Sequence, residues 1–118
     1  MIKIIVAGSR DFNDYQLLHD KLQHLTQNYD NSQIEIVSGT ARGADQLGER
    51  YAKQHNIKVT KFPADWERFG KSAGPKRNIQ MAHYADVAVV FQVNNSRGSQ
   101  HMIDTMRSLH KRVVVVQI

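Results

Sequence analysis

The chain has 118 residues, 41% of them hydrophobic, no cysteine and a formal net charge of +5. Its mean hydropathy is -0.51 and its pI is near 9.7. This length suits one domain with a single buried core. Disulfides and thiolate metal centres are excluded. No apolar run approaches the roughly 20 residues of a membrane helix, so no membrane partner is expected. The basic excess favours an anionic partner, with nucleotide and nucleic acid both compatible.

The opening MIKIIVAGSR turns polar too early for a secretory signal, which implies a first strand and a cytoplasmic location. Ile2 to Ala7 is nearly continuous in apolar character, as a strand covered on both faces should be. Asn13 and Gln16 stand at capping-box spacing, and Leu18, Leu22, Leu25 and Tyr29 follow on one helical face. Asp30-Asn31-Ser32 closes that helix, and Ile34 to Ser38 forms a second strand. A second helix places Ala44, Leu47 and Tyr51 on one side and stops at His55-Asn56. Ile57 to Phe62 is a third strand, and residues 64 to 74 read as an irregular stretch. Pro75 suits the first turn of a short helix to Tyr84, with Ile79 and Ala82 facing inward. Asp86 to Phe91 is the fourth strand. After a loop at Asn94 to Gly98, a helix carries Met102, Ile103, Met106 and Leu109, and Val113 to Ile118 is the last strand.

This alternation predicts a single Rossmann-like α/β domain over residues 1–118. It would have about five parallel strands and helices on both faces. Ligands of such folds sit beyond the carboxyl ends of the strands, where strand order reverses. The strand-to-helix junctions carry the unusual residues. Gly8-Ser9-Arg10 follows the first strand, where glycine permits close anion approach and Ser9 can donate to the anion. A tight turn with a solvated Arg10 is the plainer alternative. Ser38-Gly39-Thr40-Ala41-Arg42-Gly43-Ala44-Asp45 combines two glycines, two hydroxyls and an arginine, yet is neither a Walker A loop nor GxGxxG. Asp45 is placed to bond ribose or Arg42, or simply to favour the helix dipole.

Trp66, the only tryptophan, either stacks on a base or anchors its loop. Lys76, Arg77 and Asn78 open the third helix, where a guanidinium can grip phosphate bidentately and Lys76 can be a plain surface charge. Gly98, Ser99 and His101 open the fourth and offer a further phosphate cradle. The histidines show no spacing such as HExxH, so no metal and no cofactor are expected.

Together GSRDF (8–12), SGTARGAD (38–45), Trp66 with FGKSAGPKRN (69–78) and GSQHM (98–102) resemble the YspA-type, cpYpsA-related proteins of the SLOG superfamily. The resemblance runs over about residues 3 to 110. It implies a Rossmann-like fold that binds or processes nucleotides and nucleotide-derived signals. It also implies kinship with the LOG phosphoribohydrolases and the DNA-processing DprA/Smf proteins. In the LOG pattern an arginine is followed by an Ala-Asp strand start and then PGGxGTxxE. Arg77 and Ala85-Asp86 match this pattern, but Asn94 to Ser99 replaces the glycine-rich loop and the catalytic glutamate position falls on Met102. Asp104 lies about 200° further round the helix and is a poor substitute.

The leading expectation is therefore a bacterial or phage binding module that senses or sequesters a nucleotide, ADP-ribose-like or cyclic. Two alternatives stay open. One is a nucleotide hydrolase using Asp45, Glu49 or His101, with Arg77 as a further catalytic candidate. The other is a nucleic-acid binder, although the basic residues are dispersed along the chain. A homo-oligomer is compatible with either.

Overall fold

Valine, isoleucine and alanine make up most of the strand segments, and the pleat sends successive side chains to opposite faces. The computed structural model describes residues 1–118. Its strands are β1 (Ile2–Gly8), β2 (Ile34–Ser38), β3 (Lys58–Lys61), β4 (Val87–Gln92) and β5 (Arg112–Gln117). They form one sheet in the order β3-β2-β1-β4-β5, with every neighbouring pair parallel.

Two helices, α1 (Tyr15–Leu25) and α2 (Ala44–Gln54), lie over one face. Leu18, Leu22, Ala44 and Tyr51 pack there against Ile4, Val6 and Ile36. On the other face lie α4 (Ala73–Tyr84) and α5 (Arg97–Ser108). Met81, Met102, Ile103 and Met106 meet Ile5, Ala7, Val37 and Val90 there. Both faces of the central strands are thus covered, which explains their unbroken apolar sequence. The expected Rossmann-like class and the parallel five-stranded sheet are both present.

Several local expectations differ from what forms. The first helix is capped by Asp14, whose carboxylate accepts from the Leu17 N–H at 3.1 Å, rather than by Asn13. That helix ends at Leu25, with the Thr26 hydroxyl donating to the Leu22 carbonyl at 2.7 Å. Tyr29 therefore lies beyond the helix and is exposed. Residues 64 to 74 are largely ordered into helical turns. The short α3 (Trp66–Phe69) is capped by Asp65 and leads through a 3-10 turn into α4, which starts at Ala73. Pro75 is thus the third helical residue, still among those whose N–H lacks an intrahelical acceptor.

Ile79 is exposed, not core-facing. The inward face of α4 is built on Asn78, Met81 and Ala82, and Ile79 lies about 100° round the helix from Asn78. A polar residue holds the position that hydrophobic periodicity assigned elsewhere, because its amide has partners inside.

Candidate functional site

In this strand order the chain leaves β1 toward β2 on one side, while β4 lies on the other. The reversal point falls between β1 and β4, and a crevice opens beyond their carboxyl ends. Gly8 and Phe91 pair there. A Cβ on Gly8 would stand 2.3 Å from the Phe91 carbonyl oxygen, so only glycine permits this approach. Ser9 N–H donates to that same carbonyl at 3.0 Å. Its hydroxyl accepts from Val93 N–H at 2.8 Å and donates to Ser96 Oγ at 2.9 Å. Ser96 in turn donates to Ser99 Oγ at 2.6 Å.

This hydroxyl chain ties the β1 loop to the start of α5 and leaves the Ser99 hydrogen without an acceptor in the protein. Within the first turn of α5 the Gln100 N–H returns to Ser96 O, whereas Arg97, Gly98 and Ser99 N–H have no acceptor. Their shared direction gives the crevice a positive, donor-rich end. The entry to α5 turns through Asn94 and Asn95, both left-handed at φ 50° and 53°, a conformation asparagine tolerates better than most residues.

The facing wall comes from the loop before α2 and from α4. Gly43 holds φ 88°, and a Cβ there would meet the Ser9 carbonyl at 2.4 Å. Ser38 is fully buried, donates to Glu49 at 2.6 Å and accepts from Thr40 N–H at 3.1 Å. Asp45 is buried and accepts from Ala41 N–H at 3.2 Å. Arg77 donates to the Gly39 carbonyl and, through Nε, to Asn78 Oδ1 at 3.0 Å.

Gly39 fills the gap between the two charges. A Cβ on it would lie 2.7 Å from Arg77 Nη1 and 2.8 Å from Asp45 Oδ2. Burial pushes the Asp45 carboxyl up to about 6, against the opposing pull of Arg77 and the Ala41 N–H; nearby Glu49 adds to the rise. Burial likewise lowers Arg77, opposed by Asp45. Arginine remains cationic in any case.

Between these walls lies a cleft of about 610 Å³, within the range of small-ligand pockets. It is lined by Gly8, Ser9, Arg10, Asp45, Trp66, Arg77, Asn78, Gly98, Ser99 and His101 of the expected set. An adjoining cleft of about 370 Å³ is lined by Gly39, Thr40 and Arg42 and shares Arg10, Ala41, Trp66 and Arg77 with the first. Trp66 is half-exposed on the boundary between them.

Three expected residues line neither cleft. Ser38 is consumed by its internal bonds, Gly43 is packed against the Ser9 backbone, and the Lys76 ammonium lies 4.8 Å over the Phe69 ring. The cleft adds Asn94, Ser96 and Arg97, which sequence reasoning did not select. The serine at the cap position before Arg97 was the signal available for Ser96.

Met102 is buried and lies on the cleft wall, so no carboxylate occupies that position. Asp104 is exposed and held by Gln100 at 2.9 Å. Glu49 is engaged by Ser38 and by Lys61 at 3.6 Å and lines neither cleft, so Asp45 and Glu49 do not form a catalytic pair facing the ligand space.

A parallel sheet in this order, with an arginine-bearing cleft at its reversal point, defines a Rossmann-like α/β protein. The model of the YspA, cpYpsA-related SLOG family matches residues 2–69. The chain belongs to that family.

Gene 61 protein of Mycobacterium phage D29 is similar to it, 36% identical over 107 residues that cover 86% of this chain and 85% of that protein. Among solved structures, DNA processing protein A from Helicobacter pylori, described for its single-stranded DNA binding mode, aligns with TM-score 0.69 at 18% identity. The alignment covers 97% of this chain and 64% of that one. The structural-genomics target TM1055 aligns at 0.68 with 19% identity, covering 96% and 72%. DprA from Streptococcus pneumoniae aligns at 0.62 with 17% identity, covering 98% and 59%. This chain thus spans less than two thirds of either DprA chain, and at such identities the likeness is one of fold. No helix is long and apolar enough to cross a membrane.

Proposed function

We propose that the protein binds a nucleotide-derived ligand by its phosphate in the cleft between β1 and β4, and holds it without turning it over. The observation that carries this reading is the gathering of donors along one cleft. Arg97, Gly98 and Ser99 N–H, the Ser99 hydroxyl, Arg10 and Arg77 all border the same cleft. Such a set matches a phosphoryl group, which accepts hydrogen bonds and carries negative charge. Trp66 supplies an exposed aromatic face for a base, and Asp45 a carboxylate for a ribose hydroxyl. Met102, in the position of a LOG-type glutamate, supports binding over hydrolysis. An ADP-ribose-like or cyclic nucleotide is the ligand class this arrangement favours.

A second reading is single-stranded nucleic acid. Its support is the continuity of the two clefts through Arg10, Trp66 and Arg77, and the absence of any carboxylate lining the smaller one. The H. pylori relative in fold is itself described as binding single-stranded DNA.

A thermal-shift screen over nucleoside phosphates, NAD, ADP-ribose, cyclic nucleotides and short oligonucleotides separates the readings. A ligand at a hundred times its dissociation constant adds about 2.7 kcal/mol of stability. Arg77→Ala should abolish that shift while leaving the unliganded fold intact. An undiminished shift in Arg77→Ala refutes the site, recovery of product instead of ligand refutes the binding-only reading, and response to oligonucleotides alone favours the second.

A further inference from the structure

Asn78 is a polar residue in the core-facing row of α4, and its amide can be oriented in only one way. Its Oδ1 lies 3.0 Å from Arg77 Nε, and a guanidinium nitrogen only donates. The carbonyl end must therefore face Arg77, and the NH2 end faces α5. There it has two neighbours, the Gly98 carbonyl at 3.4 Å and His101 Nδ1 at 3.3 Å. An NH2 group directed at Nδ1 requires a lone pair on that nitrogen. The hydrogen of the neutral ring must then sit on Nε2. His101 lines the main cleft, and its Nε2 has no partner in the protein.

We propose that Asn78 is a positioning residue that holds His101 in its Nε2–H tautomer, making the ring a hydrogen-bond donor to a phosphoryl oxygen in the cleft. The tautomer follows from the Arg77–Asn78–His101 geometry alone; the phosphoryl acceptor rests on the function proposed above.

Two consequences follow. The α5 side of the cleft is rich in donors, the Ser99 hydroxyl and the Gly98 and Ser99 N–H groups joining Nε2–H. That selects a group that only accepts, such as phosphoryl, against amines and amides. In addition, the one ring lone pair of His101 is occupied by Asn78, so the residue is not available as a general base. His101 is thereby removed as a candidate general base.

Long-range 1H–15N correlation spectra of the labelled full chain report which ring nitrogen carries hydrogen. Wild type should show Nε2–H for His101. Asn78→Asp still accepts from Arg77 but offers only lone pairs to the ring, so His101 should move its hydrogen to Nδ1. Asn78→Leu should give a mixture of tautomers. Nδ1–H or a mixture in wild type overturns the proposal, as does an unchanged Nε2–H in Asn78→Asp.

The donor role is read separately by calorimetry with adenosine 5′-monophosphate. His101→Phe should weaken binding about tenfold, the loss of one hydrogen bond to a charged group. Equal affinity overturns the donor role. If adenosine 5′-monophosphate and inorganic phosphate both fail to bind wild type while Nε2–H is observed, the tautomer assignment stands and the phosphate-binding reading falls.

Discussion

Asp45→Asn tests whether the cleft is built at the expense of stability. The Asp45 carboxyl is raised by burial from its ordinary 3.8 to about 6. That difference corresponds to about 3 kcal/mol between its charged and neutral forms in the fold. Because the acid is raised on folding, this destabilisation is absent below about pH 3.8, grows as pH rises toward 6 and is complete above it. The attraction of Arg77 is already contained in that balance.

Asparagine has nearly the shape of the neutral acid and keeps an acceptor for the Ala41 N–H. The variant should therefore be more stable than wild type at pH 8, by up to about 3 kcal/mol, and nearly equal to it near pH 4. At roughly 4 °C per kcal/mol for a domain of this size, the melting temperature at pH 8 should rise by up to about 12 °C. The assay is thermal melting of both proteins across pH 4 to 8. If Asp45 were simply the stabilising counter-ion of Arg77, the variant would melt lower at pH 8 and the gap would close toward pH 4. That pattern would refute the reasoning. Stabilisation accompanied by weaker ligand binding is the signature expected of a charged group kept for function.

Other substitutions probe separate parts of the structure. Trp66→Ala should leave stability within about 0.5 kcal/mol, because the side chain is half-exposed. It should weaken nucleotide binding by about 1–3 kcal/mol while sparing inorganic phosphate, as measured by calorimetry. Gly8→Ala drives a Cβ to 2.3 Å from the Phe91 carbonyl and 2.9 Å from Ala44 Cβ, contacts of the sheet backbone and the α2 start. A loss of about 3 kcal/mol or more is expected in urea denaturation. Lys111→Met removes an ammonium that donates to the Ala82 and Ala85 carbonyls at 2.8 Å and to His83 at 2.9 Å, closing the end of α4. It should lower stability by about 1–3 kcal/mol, and an unchanged denaturation midpoint would show that water satisfies those carbonyls equally well.

The class of the fold and the end of the sheet at which the cleft opens were legible in the amino-acid sequence because both depend on local pattern. Continuous apolar runs such as Ile2 to Ala7 require cover on both faces, and their alternation with helical periodicity leaves a parallel sheet as the simple solution. Glycines, hydroxyls and arginines at the strand-to-helix junctions marked the end of that sheet where the cleft is found. The motifs also carried the family resemblance, although each alone is short.

Tertiary structure decided what no local pattern contains. It turned Asn78 inward and Ile79 outward, because Arg77, Gly98 and His101 offered the amide partners that hydrophobic periodicity does not count. It withdrew Ser38 and Glu49 into a bond with each other and left Asp45 bordering the cleft without that partner. Gly39 became the spacer between Arg77 and Asp45, residues 38 and 6 positions away along the chain but adjacent across the loop. Sequence spacing states which groups can meet along one element; only the packing of α2, α4 and α5 around the reversal point determines which charges are buried, and against what.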